Sequence, residues 1–282
     1  MASEPNQTSL ADKEINAGNP GANVNGASPP HHYDYGGNPL LNAHAGTDAR
    51  LPAFGGEFQP GLYKPIEHRK FANPAPLGLS AFALTTFVLS LINCGARGIS
   101  VPSVALSLAY GYGGLVQLLA GMWEMAVGNT FGATALSSYG GFWIAWAILQ
   151  TPGFNALGAY SDSDEYSVVA FFLLGWFLFT TILLLCTLRS TVMFFLLFLT
   201  LDLAFLMLAC ADFAKSSSNF ERGRRLQQAG GVFGLIAAFL AWYNAFAGIA
   251  DSSNSFFVVP VFHFPWSEKG REARAKTERE LA

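Results

Sequence analysis

Asn73-Pro74-Ala75-Pro76-Leu77-Gly78-Leu79 runs directly into an apolar stretch, Ser80 to Ile92, so two prolines stand at the mouth of a membrane-length helix. Proline is tolerated in a first helical turn because its missing N–H would lack an intrahelical partner anyway, and Asn73 is placed to cap that turn. In lipid an unsatisfied backbone group costs several kcal/mol, so removing two donors lets a helix begin at membrane depth, facing a cavity. The plainer alternative is a stop signal before a hydrophobic helix.

Polar groups within apolar stretches are the other residues able to do chemistry, since in a membrane they mark substrate paths and proton relays. Asp202 stands amid Leu199, Leu201, Leu203 and Phe205. Arg189 is 13 residues away, about 20 Å along a helix, too far to pair with it. The acid is therefore protonated, or hydrogen-bonded to water or to a partner among Asn244, Gln117, Tyr139 and Thr86. Proton coupling or pore polarity is one reading, and an interhelical hydrogen bond is the other. Glu124 beside Asn129 suits an interfacial contact at a pore mouth. Thr85, Thr86 and Asn93 are ambiguous, because hydroxyls bond back to their own helix. No GxSxG, HExxH, P-loop or paired Cys/His pattern occurs, which argues against an enzyme. No cofactor or metal site is expected. His31, His32, His44, His68 and His263 all lie outside the apolar stretches.

The elements that position these residues follow from composition. Of 282 residues 51% are hydrophobic and only 12% charged, against about 25% in soluble domains. There is no basic stripe of the kind that binds nucleic acid. Cys94, Cys186 and Cys210 lack metal or redox spacing and read as small membrane-buried hydrophobes.

Six apolar stretches, 77–94, 104–126, 131–150, 168–188, 191–211 and 230–250, each approach the roughly 20 residues a membrane helix needs. The fold expected is an all-α membrane protein of six transmembrane helices. Residues 1–70, rich in Asn, Gly, Pro, Ala and His, are expected to be a disordered tail without a secretory signal, so that the first helix directs insertion and Asn6 stays unglycosylated. Residues 71–250 are expected to form the six-helix transmembrane domain and 251–282 a cytoplasmic C-terminal tail. With six crossings, nine Lys and Arg residues fall on the side of both termini and five on the other, which makes both termini cytoplasmic. The loop with Asp162, Asp164 and Glu165 is then outward.

Small residues recur at spacings of three and four in the last helix (Gly231, Gly234, Ala238, Ala241, Ala245, Gly248) and in the second (Ser107, Gly111, Gly114, Gly121, with Gln117). Such stripes are expected at helix contacts, within or between subunits.

Asn73 to Leu79, Tyr112-Gly-Gly-Leu-Val-Gln117, Gly128-Asn-Thr-Phe-Gly132 and Ser138-Tyr-Gly-Gly-Phe-Trp143 together resemble the acetate uptake transporter family of succinate/acetate permeases. The likeness spans about 71–250, and the long polar tail is similar to the fungal acetate permeases. The resemblance implies a six-helix subunit in a homohexamer, each subunit with its own pore for acetate and other small carboxylates, in the plasma membrane. It implies a constriction of Phe82, Tyr139 and Leu201. Asp202 departs from the family pattern beside that leucine. On this reading substrate docks at Asn73 to Leu79, where the helix dipole and N–H groups such as those of Ala75 and Leu77 meet the anion. It then passes the apolar ring, which favours a small or protonated acid, carried with a proton, and Tyr139 donates to a carboxylate oxygen. Two other functions are compatible: an ammonia or ammonium export channel, with Asp202 as the cation site, and an acetate sensor whose tails recruit cytoplasmic partners.

Overall fold

The computed structural model describes residues 52–53, 56–57, 71–250, 254–257, 259–267, 269–272 and 276. Nearly all of the expected disordered tail lies outside the described residues. Within it β1 (Pro52–Ala53) and β2 (Gly56–Glu57) pair antiparallel, Pro52 opposite Glu57, in a unit separate from the helices.

The helical unit begins where the two prolines place it. α1 runs Ala75–Asn93, with prolines at its entrance, and the Asn73 Oδ1 accepts from the Ala75 N–H at 3.1 Å. The second apolar stretch is not one regular helix: α2 (Ser103–Tyr110) passes through a π-helical turn, Gly111–Val116, into α3 (Gln117–Ala126). Gly128, with φ +82°, makes the tight turn into α4 (Thr130–Gln150), whose first turn is capped by Asn129. α5 (Asp162–Cys186), α6 (Val192–Ser216) and α7 (Phe220–Ile249) complete the unit.

Two boundaries correct the sequence expectation. The acidic residues Asp162, Asp164 and Glu165 are not in a loop but form the first turn of α5, capped by Ser161, because carboxylates are favoured at a helix N-terminus. Likewise Arg222, Arg224 and Arg225 belong to α7, which starts ten residues before its apolar part. Asn219 caps it, and Glu221 pairs with Arg224 and Arg225 on the same face.

Five stretches, Ala75–Asn93, Ser103–Ala126, Ser163–Arg189, Val192–Ser216 and Phe220–Ile249, are long and apolar enough to cross a membrane. α4 has 21 residues and no charge, but its Gly, Ser and Thr residues make it less apolar than the others.

α7 packs against both α1 and α6, and α5 packs against α6. The expected small-residue stripe of α7 is the contact with α1. A Cβ placed on Gly231 would stand 2.8 Å from Cys94 Sγ and 2.9 Å from Ser90 O, so only glycine permits that approach. At the other end Gly248 meets Pro76. The stripe expected on the second helix is broken, because the π turn inserts a residue into the repeat. Ser107 and Gly111 face outward while Gly114, Gln117 and Gly121 are buried.

Candidate functional site

Three chain segments converge on one end of the helical unit: the start of α1, the α3–α4 turn and the α5–α6 turn. Between them opens a cavity of 370 Å³ whose mouth holds Ala75, Asn129, Cys186, Thr187, Arg189 and Ser190. Its walls come from Leu79 on α1, Phe131 and Ala135 on α4, and Phe194 and Phe198 on α6, and its inner end is made by Phe82, Tyr139 and Leu201. The three residues implied as a constriction thus share one cavity, with the Phe82 and Tyr139 ring centroids 6.1 Å apart.

Of the opening motif, only Ala75 and Leu79 reach this space. Pro76 packs against Gly248, Gly78 lies against Leu136, and Leu77 points outward, half exposed. The Ala75 N–H, expected to meet an anion, is already taken by Asn73. The motif lets α1 start close against its neighbours.

Gln117 lines the cavity and is 0% exposed, yet neither its Oε1 nor its Nε2 has a hydrogen-bond partner. A buried amide left unpaired costs about 1–3 kcal/mol, and its neighbours must shift before anything in the cavity can reach it. Glu124 is buried one helical stretch further on. Its Oε2 accepts from Asn129 Nδ2 at 2.6 Å, while Asn129 Oδ1 accepts the Gly132 N–H at 3.0 Å. Glu124 therefore fixes the carboxamide that lines the mouth, without lining the cavity itself.

Tyr139 is almost fully buried, and its hydroxyl lies 2.9 Å from Thr180 Oγ1. Thr180 spends its single proton on Trp176 O at 2.7 Å, so Tyr139 is the donor. Around it stand Trp176, Phe179, Phe198 and Phe205.

Asp202 makes the interhelical hydrogen bond of the second sequence expectation, with a partner that was not among the four candidates. It is not bonded to Asn244, Gln117, Tyr139 or Thr86; it accepts from Thr181 on α5 at 2.9 Å and lines neither cavity described here. One residue after Leu201 is a turn of about 100° around a helix, which carries it from the cavity face to the α5 face. Asn244 donates to Leu240 O on its own helix, and the Thr86 hydroxyl has no partner. The interhelical bond is thus what the acid makes, and Thr180 and Thr181 are the residues that sequence reasoning missed. A hydroxyl in a long apolar helix gives no sign of whether it points to its own backbone or across a contact.

A second cavity of 270 Å³ opens at the opposite end, lined by Asn93, Phe142, Glu165, Asp212, Lys215 and Gln227 among others. Tyr139 borders the first cavity and Phe142 the second. They lie three residues apart on α4, about 4.5 Å along the axis. Between them Phe142 packs on Phe205 and Trp176. Arg189 is the one charged residue lining the first cavity among the described residues, whereas the second combines Glu165, Asp212 and Lys215.

The cysteines are free, and Cys186 is exposed at the mouth. It was expected to be buried, but it ends α5 where the chain turns away from the bundle. Among the described residues no cluster of His, Cys, Asp or Glu is arranged to hold a metal.

A model described as the GPR1/FUN34/yaaH family matches residues 54–266. The chain belongs to that family. It is 65% identical to acetate permease A of Emericella nidulans over 257 residues, covering 89% of this chain and 85% of the permease. It is also 52% identical to ammonia transport outward protein 2 of Saccharomyces cerevisiae, over 79% of this chain and 77% of that one. Among solved structures, that of the bacterial acetate channel SatP superposes with a TM-score of 0.60 at 31% identity, covering 68% of this chain and 99% of the channel. The matched residues 54–266 include the lining of both cavities.

Proposed function

We propose that this protein is a plasma-membrane permease that moves acetate and other short carboxylates, each with a proton, through the two cavities of each subunit and past the aromatic residues between them. The observation that carries the reading is the unpartnered amide of Gln117 buried in a 370 Å³ cavity, a volume near the lower end of the roughly 300–1,000 Å³ of small-ligand sites. Once its neighbours shift to uncover that amide, a carboxylic acid satisfies it by both its hydroxyl and its carbonyl. Beyond it lies a ring with aromatic and aliphatic walls, and an ionised carboxylate entering such a ring without a counter-charge is costly. The neutral acid crosses more easily, which is how a proton travels with it.

Six crossings with both termini on the cytoplasmic side belong to the same reading. α4, 21 residues long, packs beside α3 after a three-residue turn and is comparable in length to the whole Ser103–Ala126 stretch of 24 residues, so it spans with that partner. A homohexamer is consistent with the outward-facing Ser107 and Gly111, which offer a second subunit a close approach. The ammonium alternative depended on Asp202 as a cation site, and Asp202 faces Thr181 instead.

The test is uptake of labelled acetate by the purified protein in liposomes, with labelled methylammonium measured in parallel. Saturable acetate uptake above that of protein-free vesicles supports the reading. Methylammonium flux without acetate flux overturns it.

A further inference from the structure

The α5–α6 turn carries Thr187, Arg189 and Ser190 to the mouth of the first cavity, and it is gripped from outside by a segment far along the chain. Val259–Ser267 returns past α7 to this turn. Phe262 O accepts the Val192 N–H at 2.7 Å, Thr191 and His263 form an antiparallel bridge, and Trp266 Nε1 donates to Leu188 O at 2.8 Å. The Phe264 ring packs on Phe195 at 5.6 Å and stacks on Trp266 at 4.7 Å. At the near end the Tyr243 hydroxyl donates to Pro260 O, tying the segment to α7.

These bonds are not scattered. Leu188 O is an orphan acceptor at the end of one helix and Val192 N–H an orphan donor at the start of the next, groups that a helix terminus cannot satisfy internally. Both are satisfied by the same nine-residue segment, one on each side of Arg189. A turn held at both flanks has its middle residues placed with it.

We propose that Val259–Ser267 is a strap that sets the position of the α5–α6 turn and so the shape of the cavity mouth, with Trp266 as its principal positioning residue. That the mouth admits a carboxylate rests on the function proposed above; that the strap sets the mouth does not. Removing the Trp266 indole frees Leu188 O and unseats Phe264, and Thr187, Arg189 and Ser190 then sample wider positions.

Cys186, exposed at that mouth, reports the position directly. In full-length protein carrying Cys94→Ala and Cys210→Ala, the rate at which Cys186 reacts with a bulky polar maleimide is measured in detergent with Trp266 intact, Trp266→Phe and Trp266→Ala. Loss of one neutral hydrogen bond corresponds to about fivefold, and labelling is expected to accelerate by about that factor in Trp266→Phe and further in Trp266→Ala. In liposomes the acetate KM is expected to rise in the same order while Vmax changes less than about twofold, a split that general loss of folded protein does not produce. If Trp266→Ala fails to fold, Trp266→Phe, which keeps an aromatic ring on Phe264, decides. Labelling rates equal to that of the Trp266 protein overturn the strap. Absence of acetate flux with accelerated labelling overturns the transport reading and leaves the strap standing.

Discussion

Tyr139 donates a hydrogen bond of 2.9 Å to Thr180 across the contact between α4 and α5, and the next residue, Thr181, donates at 2.9 Å to Asp202 on α6. Two adjacent hydroxyls thus hold Tyr139 and the neighbour of Leu201, and Tyr139 and Leu201 line the inner end of the first cavity. α5 contributes no side chain to the ring itself. Its part is to hold one residue of the ring and the neighbour of another.

Thr180→Val removes the acceptor and leaves the Tyr139 hydroxyl buried without a partner, at a cost of about 1–3 kcal/mol. The hydroxyl then turns toward the cavity. Thermal unfolding in detergent is expected to shift down, and the acetate KM to change several-fold. Tyr139→Phe removes the donor and leaves Thr180 bonded to Trp176, so its stability loss is expected to be the smaller of the two.

Gln117→Leu separates function from stability by sign. An unpartnered buried amide is costly in the empty protein, and an apolar group of similar shape is nearly neutral or stabilising there. The unfolding temperature should therefore hold or rise. Acetate uptake should fall, with KM raised about tenfold for the loss of about 1.4 kcal/mol of hydrogen bonding. A variant that lost stability and transport together would mean that the amide serves packing.

Asp202→Asn keeps an oxygen for the Thr181 proton and removes the charge. Acetate uptake is expected to stay within about twofold, since interhelical hydrogen bonds in membrane helices are worth about 0.6 kcal/mol on average. Abolition of uptake, measured at matched protein levels, would show that the acid takes part in coupling.

Gly231→Val tests the α1–α7 contact. Its side chain would meet Ser90 O and Cys94 Sγ where even a Cβ stands closer than 3.0 Å, and overpacking of this kind costs about 1–3 kcal/mol. Gly141→Ala, where nothing lies within 4 Å, is the matched control. Unfolding midpoints should fall for the first and not for the second.

Much of the site was legible because it depends on residue type at fixed places in long helices. Phe82, Tyr139 and Leu201 were named through family motifs, and they do meet at one cavity end. Gln117 was visible as an amide in an apolar run. What sequence could not show was direction. The period of Ser107, Gly111, Gly114 and Gly121 suggests one face, but the π turn at Gly111–Val116 rotates the later residues inward, and hydropathy carries no trace of it. Asp202 read equally as a pore group or as an interhelical hydrogen-bond partner, because a one-residue rotation around α6 is invisible in composition. The segment after Ala250 reads as a tail, since its contacts with Leu188 and Thr191 span more than seventy residues and leave no local period.

The central claim is that a short carboxylic acid crosses the Phe82, Tyr139 and Leu201 ring with a proton. Its most direct test is uptake of labelled acetate by the purified protein in liposomes, with and without an inward proton gradient, at equal external acetate and with protein-free vesicles subtracted. Saturable uptake driven above equilibrium by the gradient is the expected result. Saturable uptake that reaches the same level without the gradient would contradict proton-linked passage, and uptake equal to that of protein-free vesicles would contradict transport itself.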